Sequence, residues 1–256
     1  MTRSWELSPL EFTALWTERA EWLPEPFEHR TEPGATAVEA REWRAAAVAR
    51  LRERWGGELD DVLAAVARPD IRVMVLGVGI ADATRIRVLA TRTADQGYLI
   101  VQRPGASADE AGGFTVTEQD VLELGGAVAG ALPERAAGSR SGLTLAAPAA
   151  DEHLDHGYHR SVVRDVIDTS PTGDTDFGRA AADLAGTVTV QQGTSRFGPR
   201  GISTVYLHWR DLTDDGRYVV VPGNPPTVVP AGPDRLTSLL NAQIAEIVSA
   251  IRDDRA

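Results

Sequence analysis

The sequence predicts an α+β protein in which a central antiparallel sheet is flanked by helical bundles. Runs rich in Val, Ile, Thr and Tyr follow one another with only short turns between them, which is typical of β-meanders. The order of elements also recurs, since residues 71–132 and 186–252 each read as three strands, a short strand and a helix. This recurrence favours a duplicated unit with a pseudo-two-fold arrangement. Coincidence is the alternative, because hairpins followed by helices are common.

Composition and charge exclude several classes of protein. The chain has 256 residues and no Cys, so disulfides and thiolate metal sites are excluded. Its net charge of -11 argues against nucleic-acid binding, which needs basic patches. No apolar run reaches the ~20 residues that cross a bilayer, and the N-terminus lacks the apolar stretch of a signal peptide, so we expect a soluble cytoplasmic protein without membrane insertion. All 26 basic residues are Arg, which suggests GC-rich coding, as in actinobacteria.

Two capping boxes mark the starts of helices near the N-terminus. Ser8 lies three residues before Glu11, and Thr36 lies three residues before Glu39. In such a box the hydroxyl accepts a hydrogen bond from a backbone N–H, while the carboxylate accepts one from the N-cap residue. The sequence therefore predicts helices that begin immediately after Ser8 and after Thr36.

Apolar periodicity and Gly or Pro punctuation predict the extents of the other elements. Helices are expected at residues 9 to about 21, 37–55 and 59–67. The first meander is expected at 71–78, 84–91, 98–103 and 113–116, followed by a helix that Thr117 caps and that reaches about residue 132. Residues 138–150 are predicted to link two halves, at about 1–137 and 151–256, of one domain. Later elements are helices at 151–167 and 177–184, a second meander over 186–230 and a last helix from residue 233.

The second meander carries the clearest strand pattern. Tyr206 and His208 lie on one face of its second strand, and Trp209 lies on the other. The Asp-Asp-Gly sequence at 214–216 predicts a tight turn, because Gly tolerates the positive φ that such turns need. The last run, 227–229, follows two prolines that cannot donate to a sheet, and we expect it at an edge.

Three histidines are the candidate metal ligands. His153, His156 and His159 lie three residues apart with Asp151 and Asp155 among them, a spacing that is compatible with a ligand face and gives a metal-dependent enzyme as the alternative to the default, a polar helix face. Steps of three also drift around a helix, and no second cluster completes the site, which supports the default. The chain has no Gly-x-Ser-x-Gly elbow and no Cys nucleophile. We therefore expect no enzyme, no bound metal and no cofactor.

Four stretches together resemble one known family. They are ELSPLEFTALW from Glu6, FGRAAADL with GTVTVQQGTSRFG from Phe177, WRDLTDDGRYVVVP from Trp209, and PDRLTSLL from Pro233. In order and spacing they resemble the EspG family, the type VII (ESX) secretion-associated chaperones of actinobacteria. The likeness runs nearly end to end, although residues 138–176 follow the pattern poorly and the turn after Asp211 is longer than in the family.

The resemblance implies a single EspG-like domain over residues 1–256 and a cytoplasmic, non-enzymatic chaperone. Family members bind the apolar tip of a PPE protein within a PE–PPE heterodimer and keep it soluble for export. From position alone, we predict partner-binding residues on the second meander, on the loop after the second strand and on the last helix: Arg92, Asp95, Gln191, Tyr206, His208, Gln243 and Arg252. A general protein-interaction module and a homodimer closed by the same strand faces are the alternatives.

Overall fold

A computed structural model describes residues 2–29, 36–140, 143–144, 177 and 180–255 of the chain. Its helices are α1 (Pro9–Thr17), α2 (Ala37–Trp55), α3 (Glu58–Ala67), α4 (Leu124–Gly130) and α5 (Pro233–Arg255). Its strands are β1 (Ser4–Leu7), β2 (Ile71–Gly79), β3 (Arg85–Thr93), β4 (Gln96–Pro104), β5 (Ala111–Gln119), β6 (Leu143–Thr144), β7 (Ala182–Gln192), β8 (Thr204–Leu212), β9 (Arg217–Val221) and β10 (Thr227–Pro230). The predicted α+β class, with helices packed on an antiparallel sheet, is confirmed.

The ten described strands form one sheet in the order β1-β5-β4-β3-β2-β7-β8-β9-β10-β6. Every pairing between neighbours in this order is antiparallel. The middle of the sheet is the pairing of β2 with β7, which runs from Ile71 opposite Gln192 to Gly79 opposite Leu184. This pairing joins the strands of the first meander to those of the second.

Strand alternation sends apolar side chains to both faces of the sheet. On one face, which we call the α5 face, Val75, Val188 and Trp209 pack under α4 and α5. The opposite face, which we call the α1 face, carries Ile100 and Phe114 under α1 and α3. Helix α2 packs on α1. The sheet therefore separates the apolar core under α4 and α5 from the core under α1 and α3, and a smaller cluster of Phe177, Leu212, Tyr218 and Val228 lies at the other end of the α1 face.

Both predicted capping boxes are confirmed. The Ser8 hydroxyl accepts from the backbone N–H of Glu11 at 3.3 Å, and the Glu11 carboxylate accepts from the backbone N–H of Ser8 at 2.8 Å. Thr36 and Glu39 form the same pair of bonds, also at 3.3 and 2.8 Å. Helix α2 spans the predicted residues, whereas α1 ends at Thr17, before the prolines that were expected to end it.

Two predicted helices are wrong where strands gain partners from distant residues. Thr117 does not cap a helix but lies in β5 opposite Ser4, and β5 continues to Gln119 because β4 pairs with it as far as Gly97. Helix α4 begins only at Leu124. In the segment predicted to be helical at 177–184, Phe177 is helical, but Ala182 to Leu184 extend β7 along β8.

Smaller differences concern turns and the sheet edge. The positive φ of the β8–β9 turn is at Asp214, at 58°, and not at Gly216. Gly216 is required by a close approach instead, since an added Cβ atom would lie 2.7 Å from the carbonyl oxygen of Ala136. Strand β10 is not at an edge, because the short β6 within the predicted linker pairs outside it. The helix predicted at 151–167, with its three histidines, lies outside the described residues.

Candidate protein-docking surface

Part of the α1 face is left open to solvent. The apolar core beneath α1 and α3 reaches β2 only at Met74, which is partly buried at its margin. Beyond it, side chains of β2, β7 and β8 form a surface that we call the open sheet face. Its members are Met74, Leu76, Thr189, Gln191, Thr204, Tyr206 and His208, together with Thr187, which lies on the same face but is itself buried. Tyr206, at 53% exposure, is the large apolar side chain most open to solvent on this surface.

The register aligns these side chains in rows across three strands. Met74, Thr189 and Tyr206 form one row, because each is paired with the next across the strands. The neighbouring row ends at Thr187 and His208, where the hydroxyl Oγ1 and the ring Nδ1 are hydrogen-bonded at 2.9 Å. In the row on the other side, the Gln191 amide Nε2 donates to Thr204 Oγ1 at 3.3 Å. These cross-strand bonds hold the polar groups in place.

A wall borders the open sheet face on the side of β3. Residues 25–28 form this wall, and a groove of about 340 Å³ lies between it and Tyr206. Phe27 anchors the wall by edge-to-face contacts with Phe12 and Phe114, at centroid distances of 5.8 and 5.4 Å. Gln102 fixes it further, since its amide donates to the Glu28 carbonyl at 2.8 Å and accepts from the Glu28 N–H at 3.1 Å.

The groove has an ion pair at its border and an uncharged floor. Buried Arg87 pairs with the exposed carboxylate of Glu28, and burial lowers the pKa of Arg87. Two arginines bound this floor, Arg72 of β2 at one end and Arg210 of β8 at the other. Between them, the side chains of β7 and β8 on this face carry no formal charge at neutral pH. Burial lowers the pKa of His208 below its usual 6.5, although part of its ring is exposed, so its neutral form is favoured.

This chemistry suits contact with a protein better than catalysis. Met, Thr, Gln and Tyr side chains offer apolar area together with hydrogen-bonding groups, and Tyr is enriched at protein interfaces. In the part of the chain that the structure describes, no group of three His, Asp or Glu side chains could hold a metal ion. The histidines at 153, 156 and 159 lie outside that part, and the metal hypothesis stays a prediction. None of the described helices is long and apolar enough to cross a membrane.

The structure brings together three of the seven predicted partner-binding residues. Gln191, Tyr206 and His208 share the open sheet face, whereas the other four lie on the α5 side or at the strand ends: Arg92, Asp95, Gln243 and Arg252. Arg92 donates to the carbonyl of Ala94 at 3.2 Å, beside the exposed turn that carries Asp95. Gln243 is half-buried on α5, and Arg252 is exposed near the end of that helix.

The sequence interpretation missed Met74 and Leu76 on β2 and Thr187 and Thr189 on β7, although it included Gln191. The stretch IRVMVLGVG is almost uniformly apolar, so it does not reveal which side chains stay uncovered. Thr187 and Thr189 carried a usable signal, because they alternate with Val188 and Val190. That alternation indicates a strand with one apolar face and one polar face.

Comparisons with known proteins agree with this architecture. The family model described as the EspG family matches residues 8–242. One similar solved structure is the Mycobacterium tuberculosis type VII secretion system chaperone EspG5 in complex with the PE25-PPE41 dimer, with 13% identity, a TM-score of 0.50 and 94% of each chain covered. At this identity the likeness to the solved structure shows a shared fold. The comparison with curated proteins found no match to the sequence. Because the family model spans nearly all of its length, this chain belongs to the EspG family.

Proposed function

We propose that this chain is a cytoplasmic chaperone that binds a PE/PPE-type secretion substrate and keeps it soluble for export by a type VII system. The observation that carries the proposal is the open sheet face, a walled groove with an uncharged floor around Tyr206. Family membership supports it, as does the solved relative, which is described as a chaperone in complex with a PE25-PPE41 dimer. The chaperone acts by binding and needs no cofactor.

The chemistry of the groove explains how such a client would be held. A secreted partner with an exposed apolar tip self-associates in water unless the tip is covered. Met74 and Leu76 offer apolar contact on the floor, and Tyr206 offers a ring with a hydroxyl at its rim. Thr189 and Gln191 can bond to polar groups of the client that would otherwise be buried without partners. Binding covers the client tip and leaves the body of the client outside the groove.

We assign the seven predicted residues to two contact regions. Gln191, Tyr206 and His208 form the first, on the open sheet face. Arg92, Asp95, Gln243 and Arg252 form the second, where the client extends past the strand ends toward α5. The exposure of Asp95 and Arg252 supports the second region.

We also propose that the fold arose by duplication, with pseudo-two-fold related halves at about 1–137 and 151–256 joined by residues 138–150. The strand order supports this, because β2 to β5 and β7 to β10 extend outward in opposite directions from the β2–β7 pairing. A helix follows each set, α4 after β5 and α5 after β10. Both helices pack in the same core on the α5 face.

Co-expression tests the proposed function. Each PE–PPE-type pair of the source genome is produced with this chain, and one pair is expected to give a 1:1:1 complex by size-exclusion chromatography with light scattering. Tyr206→Arg places a charge on the uncharged floor, and we expect affinity to fall about tenfold or more. Trp43→Arg is the matched control, since Trp43 is an aromatic residue with 43% exposure on α2.

Two results would contradict the proposal. One is that every pair aggregates or elutes without this chain. The other is that Tyr206→Arg binds as well as Trp43→Arg. A homodimer of the chain alone that Tyr206→Arg dissociates would assign the open sheet face to self-association instead.

A further inference from the structure

The loop between β7 and β8 presents an aromatic side chain that the fold does not bury. This segment, residues 193–203, is called the Phe197 loop here. The Phe197 ring is 67% exposed, although most large apolar residues of the described chain lie in the cores. The loop belongs to the stretch QQGTSRFG, one of the motifs on which the family resemblance depends. The ring therefore offers apolar area for a partner to cover at the tip of the loop.

Asp254, near the end of α5, holds the first half of the loop. Its carboxylate accepts from Gln192 Nε2 at 3.2 Å, from Ser195 Oγ at 3.2 Å and from the backbone N–H of Arg196 at 3.1 Å. Gln192 is itself 2% exposed and also donates to the Thr194 carbonyl at 2.7 Å. A single carboxylate therefore connects the end of β7, the loop and the last helix.

Short-range bonds fix the tip of the loop. The Phe197 N–H donates to Ser195 Oγ at 3.2 Å, and the Gly198 N–H donates to the Ser195 carbonyl at 3.0 Å. Gly198 has a φ of 70°, which a residue with a side chain rarely adopts. The Arg196 guanidinium lies over the Phe197 ring, 4.8 Å from its centroid. The aromatic ring is thus held in place before any partner arrives, which lowers the entropy lost on binding.

The Phe197 loop continues from the open sheet face. Gln191 and Thr204, the last paired residues of β7 and β8, flank the loop and form the outermost row of that face. Arg196 is half exposed at the tip, and its Nε lies 3.7 Å from the Asp254 carboxylate, so the guanidinium is paired within the chain while part of it stays open to solvent. The bonds from Ser195 and Arg196 to Asp254 place the loop beyond the ends of β7 and β8 on the side of α5. A ligand that covers Tyr206 therefore reaches the loop by extending past Gln191 over the strand ends.

We propose that Phe197 and Arg196 form a second anchor for the same client and contribute to its selection. Phe197 enters an apolar pocket of the client tip, and Arg196 pairs with a carboxylate beside that pocket. Asp254 is a positioning residue, which holds the loop and pairs with Arg196 but does not itself contact the client. This inference rests on the proposed function, because it takes the PE/PPE-type client as the occupant.

Affinity measurements on the reconstituted complex test the anchor. Truncating a central aromatic anchor weakens binding by about tenfold or more, and we expect this for Phe197→Ala against the heterodimer that binds the wild type. Arg196→Glu should weaken binding more at low salt than at high salt. The introduced carboxylate repels the carboxylate of the client, and high salt screens that repulsion. Leu122→Ala is the matched control, since Leu122 is 77% exposed and lies outside the Phe197 loop. Asp254→Ala should raise hydrogen exchange in residues 193–203 and speed dissociation, and Phe197→Ala should leave that exchange unchanged.

A crosslinking experiment gives a second readout that does not depend on affinity. A photoreactive phenylalanine analogue at position 197 should crosslink to the PPE-type chain, and the same analogue at position 122 should not. If the wild type binds a pair while Phe197→Ala binds equally well and position 197 gives no crosslink, the second anchor is wrong and the proposed function stands. If no pair binds the wild type, the proposed function itself fails.

Discussion

The indole of Trp209 lies directly over Gly186, its partner across the β7–β8 pairing. A Cβ atom added at Gly186 would lie 2.1 Å from Cη2 of the ring, far inside van der Waals contact. The ring also reaches Gly77 on β2, where an added Cβ atom would lie 2.9 Å from Cζ2. Two glycines on adjacent strands thus make room for the largest buried side chain of the α5 face, next to the middle of the sheet.

Gly186→Ala should destabilise the protein by about 1–3 kcal/mol, because the added methyl group overpacks the site under Trp209. Urea unfolding gives the free energy of unfolding. Gly126→Ala is the matched control, since its added Cβ atom would meet Thr237 at an ordinary 3.7 Å and alanine favours the helix. Equal stability of the two variants would show that the sheet yields around the indole.

Arg217→Ala should cost about 3–5 kcal/mol of unfolding free energy, because it leaves the Asp211 carboxylate buried without its partner. The two side chains are 2% and 5% exposed, with both Nε and Nη2 of Arg217 at 2.7 Å from carboxylate oxygens. Arg217 also donates to the Pro133 carbonyl at 2.9 Å. Arg52→Ala is the control, since Arg52 and Glu18 are about half exposed and such pairs contribute about 0–1 kcal/mol. Similar losses in both variants would contradict the prediction.

Ser8→Ala and Thr36→Ala should differ in effect, although both remove a helix cap of the same type. Ser8 caps α1, whose Phe12 is fully buried, and we expect a loss of about 1 kcal/mol in global stability. Thr36 caps the end of α2 that lies before its first buried residue, Ala47. Its loss should therefore increase hydrogen exchange in the first turns of α2 with little change in Tm. An equal fall in Tm would show that the start of α2 unfolds only with the core.

His208 should make stability depend on pH below its unperturbed pKa of 6.5. Burial lowers the pKa in the folded state, so the unfolded chain binds more protons and stability falls as the pH drops below about 6.5. Urea unfolding at pH 7 and pH 5 should show a larger decrease for the wild type than for His208→Gln. Client binding should weaken at lower pH still, where His208 of the folded chain takes up a proton, because covering the ring further disfavours its charged form. An identical decrease in the two proteins would exclude His208 as the cause.

Local signals made parts of the fold predictable from the sequence. The starts of α1 and α2 follow from capping boxes whose bonds close within three residues. The length of β5 did not follow, because Glu118 and Gln119 are strand residues only through their pairing with β4, and Thr117 also pairs with Ser4, 113 residues away in the chain. The start of β7 was missed for the same reason, since Ala182 is a strand residue only because Leu212 of β8 lies opposite it.

The candidate surface was predictable only where one strand contains the whole pattern. Tyr206 and His208 follow from the alternation of β8, and Thr187 from that of β7. Whether a face is covered depends on where distant helices pack. That packing leaves Met74 at the margin of the core and both Met74 and Leu76 in the lining of the groove. The sequence motif around Phe197 could be recognised, but its bonds to Asp254 could not be predicted, because they join residues that lie far apart in the chain.

The pairing of β2 with β7 has a consequence for biosynthesis. When the ribosome has released β2 to β5, the β2 backbone still lacks the neighbour that β7 supplies, since the chain emerges from its N-terminus. An unpaired strand edge recruits other strands, and the β7 of another copy offers the same complement. Slower translation through the intervening residues would prolong that vulnerable interval. Yield of monomer should therefore depend on how quickly the second meander follows the first.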